Sequence, residues 1–409
     1  MKSLIILTSR FPFPPGEEFL TNEIEELSKT FGEIKILPTS SDLVADPEKR
    51  KSLPSNVKVF IPSQKGKGRI WRLLRLLGDF QAIGWLINEL PEASSYGLKG
   101  ILKLLNWTTF ASEIKRQIKV QKFSGEDIYY SYWLTPSATA LAMLKDGREI
   151  STAVSRVHGG DLYQERHQPA YLPYQRRVLA RLDQTYSISS NGKEYLTKLH
   201  HISDSKISIS RLGTRNINPF KPAEDKTDKL RIITCSYLKP VKRLHLLAEA
   251  LKNVEVPVEW THIGDGPERK KIEELIKEAP ENISVKFLGN LNNKEVLRNY
   301  EENRYDLFIN VSESEGIPVT IMEAFSFGIP VIATNVGGTS ELVNEGNGYL
   351  LPKEFQTRKL AELMEEFYRL SLEARNAKAL KAYETWDEQY NASKNYQKFA
   401  KQLTGASER

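Results

Sequence analysis

The chain has 409 residues, 40% apolar, 27% charged and 10% aromatic, enough for two domain cores and too apolar for a disordered protein. A single cysteine, Cys235, excludes a disulfide-framed secreted scaffold, and no stretch approaches the roughly 18–20 uncharged apolar residues that span a bilayer. The net charge of +6 is unevenly placed: from Lys65 to Lys122 eleven Lys and Arg meet four Asp and Glu, and the rest is near neutral.

The first apolar run, 4–7, stops at Thr8-Ser9-Arg10. It is too short for the core of a signal peptide and reads as a β-strand, so a soluble protein of a reducing compartment is expected. Similar β-branched runs follow at 34–37, 57–61, 128–130, 153–157 and 185–188, alternating with amphipathic helical stretches. Between the third and fourth runs lies the basic segment. There Ile70, Trp71, Leu74, Leu77, Phe80, Trp85 and Ile87, then Trp107 and Phe110, accompany the cations. Basic helices bearing tryptophan suit an anionic membrane surface, where each Lys or Arg contributes about 1 kcal/mol. The alternative is ordinary helices with a solvated basic face. Nucleic acid is not expected, since no basic-aromatic strand pattern or zinc spacing is present.

A second series of strand-like runs occupies 231–235, 259–263, 284–287, 307–311, 331–333 and 348–350. Strand–helix alternation throughout predicts an α/β protein of two doubly wound domains, with ligands at the carboxyl ends of the strands. The polar, proline-containing stretch 216–229 marks the join, giving domains 1–215 and 216–384. From 357 to 403 the chain reads as helical, with Trp386, Tyr390, Tyr396 and Phe399 forming a core-facing stripe.

The most informative stretch is S-E-S-E-G-I-P-V-T-I-M-E-A-F-S-F-G-I-P at 312–330. A strand ends in a polar loop, Pro318 stands where a first helical residue belongs, and free N–H groups at Val319 and Thr320 face any anion ahead of the helix. Glu315 and Glu323 lie on either side of the helix start, placed to take different polar parts of an extended ligand. Alternatively, one is a dipole partner and the other a solvated helix residue.

E-G-I-P-V-T-I-M-E, from Glu315 to Glu323, resembles the E-x7-E motif of family 4 retaining glycosyltransferases, whose GT-B architecture has two Rossmann-like domains facing a cleft. The resemblance implies that Glu315 contacts the donor sugar and Glu323 the ribose. Gly316, Ile317, Pro318, Val319 and Thr320 would surround the diphosphate. T-H-I-G-D-G-P-E-R is similar to the family's strand and glycine loop, with Gly264 in it, and F-L-G-N-L, with Leu288, to the base-contacting strand end. S-Y-L-K-P-V-K-R-L-H matches the family's G-R-L-x-P-x-K-G segment. Lys242 is the matching lysine, but Tyr237 stands at the arginine position, leaving Arg243 or Lys239 to supply the second cation. In H-G-G-D-L-Y, His158 would reach the donor sugar and Asp161 support its loop. In S-R-F-P-F-P-P-G-E-E-F, Gly16 is the candidate beside donor phosphate and acceptor, with Glu18 and Asn22 weaker ones. Y-S-Y-W-L-T-P, 130–136, is similar to a further cleft loop. By the same resemblance, residues 385–409 form a helix packing back on the first domain.

No D-x-D, H-x-x-H or H-E-x-x-H occurs, so a metal-independent enzyme without a cofactor is expected, using a nucleotide-diphosphate sugar as donor. The implied function is retaining transfer of a sugar, UDP guessed over GDP, to a hydroxyl of a lipid-linked or growing saccharide, at the inner face of the cell membrane. The rivals are a nucleotide-sugar epimerase or glycogen-synthase-like enzyme on the same scaffold, and a non-catalytic nucleotide-sugar-binding protein of a polysaccharide complex.

Overall fold

The computed structural model describes residues 3–14, 16–17, 20–40, 51–62 and 68–406. The chain divides into two compact units, Met1–Leu212 with Ser393–Arg409, and Gly213–Ala392.

The first unit is built on seven parallel strands, β1 (Leu4–Thr8), β2 (Ile34–Pro38), β3 (Val57–Val59), β4 (Ile128–Ser131), β5 (Thr152–Val157), β6 (Gln184–Ser187) and β7 (Ile207–Ile209), in the order β3-β2-β1-β4-β5-β6-β7. The second has six, β8 (Leu230–Cys235), β9 (Val258–Ile263), β10 (Ile283–Phe287), β11 (Leu307–Asn310), β12 (Val331–Thr334) and β13 (Gly348–Leu351), in the order β10-β9-β8-β11-β12-β13. Every run expected to be a strand is one, within a residue or two at each end.

The sequences of the central strands explain their position. All five residues of β1 are buried, because helices cover both faces of a parallel sheet. Successive side chains alternate between the faces: Ile5, Leu7 and Tyr129 enter one core and Leu4, Ile6, Ile128 and Tyr130 the other. In the second sheet Ile232, Ile309 and Ile332 separate from Ile233, Phe308 and Val331 in the same way. Strand order reverses between β1 and β4 and again between β8 and β11, so each unit has its own switch-point crevice.

The four aromatic residues of the C-terminal stripe are all at most 1% exposed, but they serve two cores. Trp386 donates its indole N–H to Thr214 Oγ1 at 2.9 Å and packs with Tyr390 in the second unit. The chain rejoins the first unit at Ser393, not at 385, because these two rings are spent on the second core. In the last helix, Ala392–Ala406, Phe399 and Leu403 join the first unit's core. The Phe399 ring lies 4.2 Å from the Arg156 guanidinium, which is fully buried and paired with Glu23 at 2.8 Å. The Tyr130 hydroxyl also donates to Glu23. Such a pair is stable in an interior only when its remaining polar atoms are engaged and water is kept out.

Among the described residues, the basic segment folds as three helices, Arg69–Leu76, Phe80–Ser95 and Gly97–Val120. Ile70, Trp71, Leu74, Leu77 and Phe80 are 52–84% exposed. Two tryptophans grouped with them in the sequence reading are not surface residues. Trp85 is buried and donates to Asp146 at 3.2 Å, and Trp107 donates to Thr139 at 2.9 Å. Part of the positive charge is also neutralised internally, by Arg75 and Arg116 on Glu113 and by Lys115 on Asp79. Among the described residues, no helix is long and apolar enough to cross a membrane.

Candidate active site

In the second unit, β11 ends at Asn310 and the loop carrying Glu315 runs to the helix Val319–Ser326. Pro318 is the residue before this helix, not its first, with an extended ψ of 108°. Its carbonyl accepts from Ile321 at 3.1 Å and Met322 at 3.4 Å, leaving the N–H groups of Val319 and Thr320 ahead of the helical ladder. Glu315 is 12% exposed, and its Oε1 accepts from Lys242 Nζ at 2.8 Å and from Asn310 Nδ2 at 3.3 Å. Lys242 comes from the 3-10 turn Pro240–Lys242, which follows β8. The switch point therefore brings a lysine from one strand end against a glutamate from the next. Gly337 is required behind this loop: its φ is +56°, and a Cβ there would stand 2.0 Å from the Glu315 carbonyl oxygen. Gly338 N–H completes the packing on the Gly316 carbonyl at 2.7 Å, and Ile317 is buried beneath.

Glu323 occupies a dry environment. Burial pushes its carboxyl up to about 7, although Asn293 Nδ2 donates to Oε1 at 2.7 Å and opposes the shift. Nearby, the Cys235 thiol is pushed up to about 12 by burial and by the Glu323 charge. Among the described residues the Tyr300 hydroxyl is buried without a hydrogen-bond partner. Burial, and then the charges of Cys235 and Glu323, raise the pKa of this hydroxyl.

Tyr237 is 50% exposed, with Lys239 Nζ 5.1 Å from its ring centroid. Arg243 donates Nε to the Val311 carbonyl at 2.9 Å and Nη2 to Lys353 at 2.8 Å and Ser312 at 3.4 Å. Its guanidinium thus braces the loop after β11 instead of standing free to meet an anion. Gly264 (φ +132°) ends β9 so close to the chain after β8 that a Cβ would lie 1.9 Å from Ser236 O. Its N–H donates to the Gly289 carbonyl, and Leu288 N–H to His262 O.

In the first unit, the loops after β1, β4 and β5 share one end of the sheet. His158 is 7% exposed, with its ring centroid 4.7 Å from Tyr132 and 4.3 Å from Trp133. Burial, and secondarily Arg156, hold its pKa well below the ordinary value, so the ring is neutral near pH 7. Among the described residues neither ring nitrogen meets a strict hydrogen-bond geometry, but the side chain faces the Asp161 backbone N–H in a capping box at the start of the helix Gly159–Leu162. Asp161 accepts from His158 N–H and from Leu134 N–H, each at 2.6 Å, and burial pushes its carboxyl up to about 7. Gly16 (φ +104°) lines a cavity of about 320 Å³ with Ser9, Arg10, Glu17, Thr39, Trp133, Thr135 and Ser137. This cavity sits at the β1/β4 switch point, where an open α/β sheet takes its ligand. Asn22 lies on the helix Leu20–Thr30; Glu18 is outside the described residues.

Glu315, Lys242, Gly316 to Thr320 and Glu323 therefore share one end of the second sheet, with Leu288 and Gly264 on the neighbouring strand ends. His158, Asp161 and Gly16 share one end of the first. The sequence reading missed Asn293, Asn310, Tyr300 and Cys235 in the second unit and Glu17 in the first. Of these, only Glu17 stood in a singled-out motif. Among the described residues, no group of three or more His, Cys, Asp or Glu is placed to hold a metal ion.

The two parallel-sheet Rossmann-like units define a GT-B-like fold. The HepE protein of Anabaena, whose crystal structure is in complex with UDP and glucose, superposes with a TM-score of 0.66 over 99% of this chain and 100% of that one, at 17% identity. Residues 215–385, most of the second unit, match the family described as Glycosyl transferases group 1. Among curated relatives, WcaL of Escherichia coli (strain K12), named for a colanic acid biosynthesis glycosyltransferase, is 27% identical over 69% of this chain and 74% of its own length. The O-antigen biosynthesis glycosyltransferase WbnH of Escherichia coli is 35% identical over 36% of this chain and 44% of its own.

Proposed function

We propose that the protein is a retaining, metal-independent glycosyltransferase of polysaccharide biosynthesis, moving a sugar from a UDP-sugar to a hydroxyl of a lipid-linked or growing saccharide. The observation that carries this reading is the Lys242–Glu315 pair, 2.8 Å apart in front of the helix Val319–Ser326. A cation and two unladdered N–H groups suit a diphosphate, and a glutamate beside them suits sugar hydroxyls. Glu323, held by Asn293, is assigned to the ribose. The relatives' part in polysaccharide assembly and the UDP bound to HepE support the acceptor class and the base.

In the proposed reaction the bond from the sugar's anomeric carbon to the diphosphate breaks. A bond to the acceptor oxygen forms on the same face, and the acceptor proton passes to the departing diphosphate. Lys242 and the helix start stabilise the charge that develops there. No side chain is assigned as a nucleophile. Neutral His158 hydrogen-bonds a sugar hydroxyl through a ring nitrogen.

The exposed apolar face at 70–80, flanked by the net positive segment, is assigned to an anionic bilayer, with the protein peripheral at the cytoplasmic side. One observation favours a rival, the non-catalytic nucleotide-sugar-binding protein: Tyr237 replaces an arginine and Arg243 is engaged elsewhere, so the diphosphate has one cation fewer. Incubation with UDP-sugars and lipid-linked saccharides, with NMR assignment of the product anomer, separates the readings. A product that keeps the donor's anomeric configuration supports the proposal, whereas inversion overturns the retaining assignment. Binding without turnover for every acceptor favours the rival.

A further inference from the structure

The loop after β1 closes around a single carboxylate. Glu17 Oε1 accepts the backbone N–H of Ser9 and the indole N–H of Trp133, and Oε2 accepts the N–H groups of Arg10 and Phe11, all four at 2.7 Å. To reach them the backbone takes two successive left-handed residues, Gly16 at φ +104° and Glu17 at φ +56°. The second is unfavourable for a residue with a Cβ and persists where surrounding bonds over-determine it. Hydrogen bonds to an ionised acceptor are the strong ones, and here they supply that constraint.

Asp161 does the same one loop further on, joining Leu134 N–H to His158 N–H. The loops after β1, β4 and β5 are thus stapled in series by two carboxylates, with Trp133 and Leu134 as the shared member. His158 stands against this member. Its ring packs against the faces of Tyr132 and Trp133 while its side chain faces the Asp161 backbone N–H in a capping box, so the aromatic faces and this loop set its orientation together. Tyr132 is buried, whereas Trp133 is only partly buried and is held through its indole N–H by Glu17.

We propose that Glu17 is a positioning residue: its carboxylate fixes the loop 9–11 and, through Trp133, sets the ring of His158. Its catalytic consequence rests on the reading of His158 as a sugar-facing group. A neutral amide of the same shape cannot replace it, because one oxygen would remain for four donors and an NH2 group would confront two of them.

The test uses Glu17→Gln, Trp133→Phe, which keeps a ring but removes the indole N–H, and the double variant. Amide exchange at 9–11 and the His158 ring resonance, which the flanking aromatic rings displace, report the geometry; kcat and KM report the chemistry. Glu17→Gln is expected to speed exchange at 9–11, move the His158 resonance and lower kcat by about 10- to 100-fold with donor KM within about threefold, the cost of a small misplacement. The double variant should match the worse single variant, since both act on one link. An unmoved His158 resonance in Glu17→Gln, or effects on kcat that multiply, overturns the proposal. If Glu17→Gln does not fold, an unmoved resonance in Trp133→Phe overturns it equally. If the wild type transfers no sugar, the functional reading fails, while exchange and the His158 resonance still decide what Glu17 does.

Discussion

Glu323→Gln separates the energetic role of a buried carboxyl from its binding role. The side chain is 6% exposed, and burial raises its pKa from 4.5 to about 7 in the folded state. Between those values the folded protein binds more protons than the unfolded chain, so stability falls as pH rises. The favourable contribution is complete below 4.5 and lost as pH passes 7. Relative to a permanently neutral group, the native carboxyl costs about 1 kcal/mol at pH 5 and about 3 kcal/mol at pH 8. Glutamine keeps the shape and an oxygen for Asn293 Nδ2. The variant is therefore expected to be more stable than wild type, by an increment that grows by roughly 2–3 kcal/mol from pH 5 to pH 8. Urea denaturation of both proteins across that range measures it, because Asp161 titrates in the same direction in both and cancels in the difference. The same substitution should weaken UDP binding, since the carboxylate proposed to hold the ribose is gone. A stability difference that is independent of pH would refute the argument from burial.

Further outcomes follow from the packing. Gly264→Ala places a Cβ 1.9 Å from a backbone oxygen at a φ of +132°; the strand ends must separate, and a drop in melting temperature with loss of nucleotide binding is expected. Phe399→Ala removes a fully buried ring covering the Arg156–Glu23 pair and should cost about 3–5 kcal/mol in urea denaturation, more if water reaches the pair. Replacing Trp71 and Leu77, 58% and 68% exposed, by Asp should leave the melt unchanged while abolishing co-sedimentation with anionic vesicles. Equal pelleting of wild type and variant would remove the membrane assignment.

Much of this architecture was legible because buried parallel strands need continuous apolar, β-branched runs, and the runs from 4–7 to 348–350 have no other use. The Glu315 to Glu323 stretch was legible for a similar reason: loop, proline and helix start are local. What failed was long-range. Hydrophobic periodicity marks Trp85, Trp107 and Trp71 alike, yet only tertiary packing buries Trp85 against Asp146 and half-buries Trp107 against Thr139. Asn293 meets Glu323 across 30 positions, and nothing in either local sequence announces it. Arg243 reads as a spare cation until its carbonyl partners are seen. Glu17 and its neighbour Glu18 are indistinguishable as letters, and it is the left-handed turn at Gly16 and Glu17 that sends one carboxylate into the N–H groups of 9–11.

The central claim, a metal-free UDP-sugar site built on Lys242, Glu315 and the helix Val319–Ser326, is tested most directly by titrating UDP, GDP and ADP into wild type and Lys242→Ala in EDTA, with thermal unfolding as readout. A ligand at about 100 times its Kd adds about 2.7 kcal/mol to the folded state. The account predicts a shift for UDP that exceeds those for GDP and ADP and is lost in Lys242→Ala. No shift with any nucleotide, or one that persists unchanged without Lys242, would contradict it.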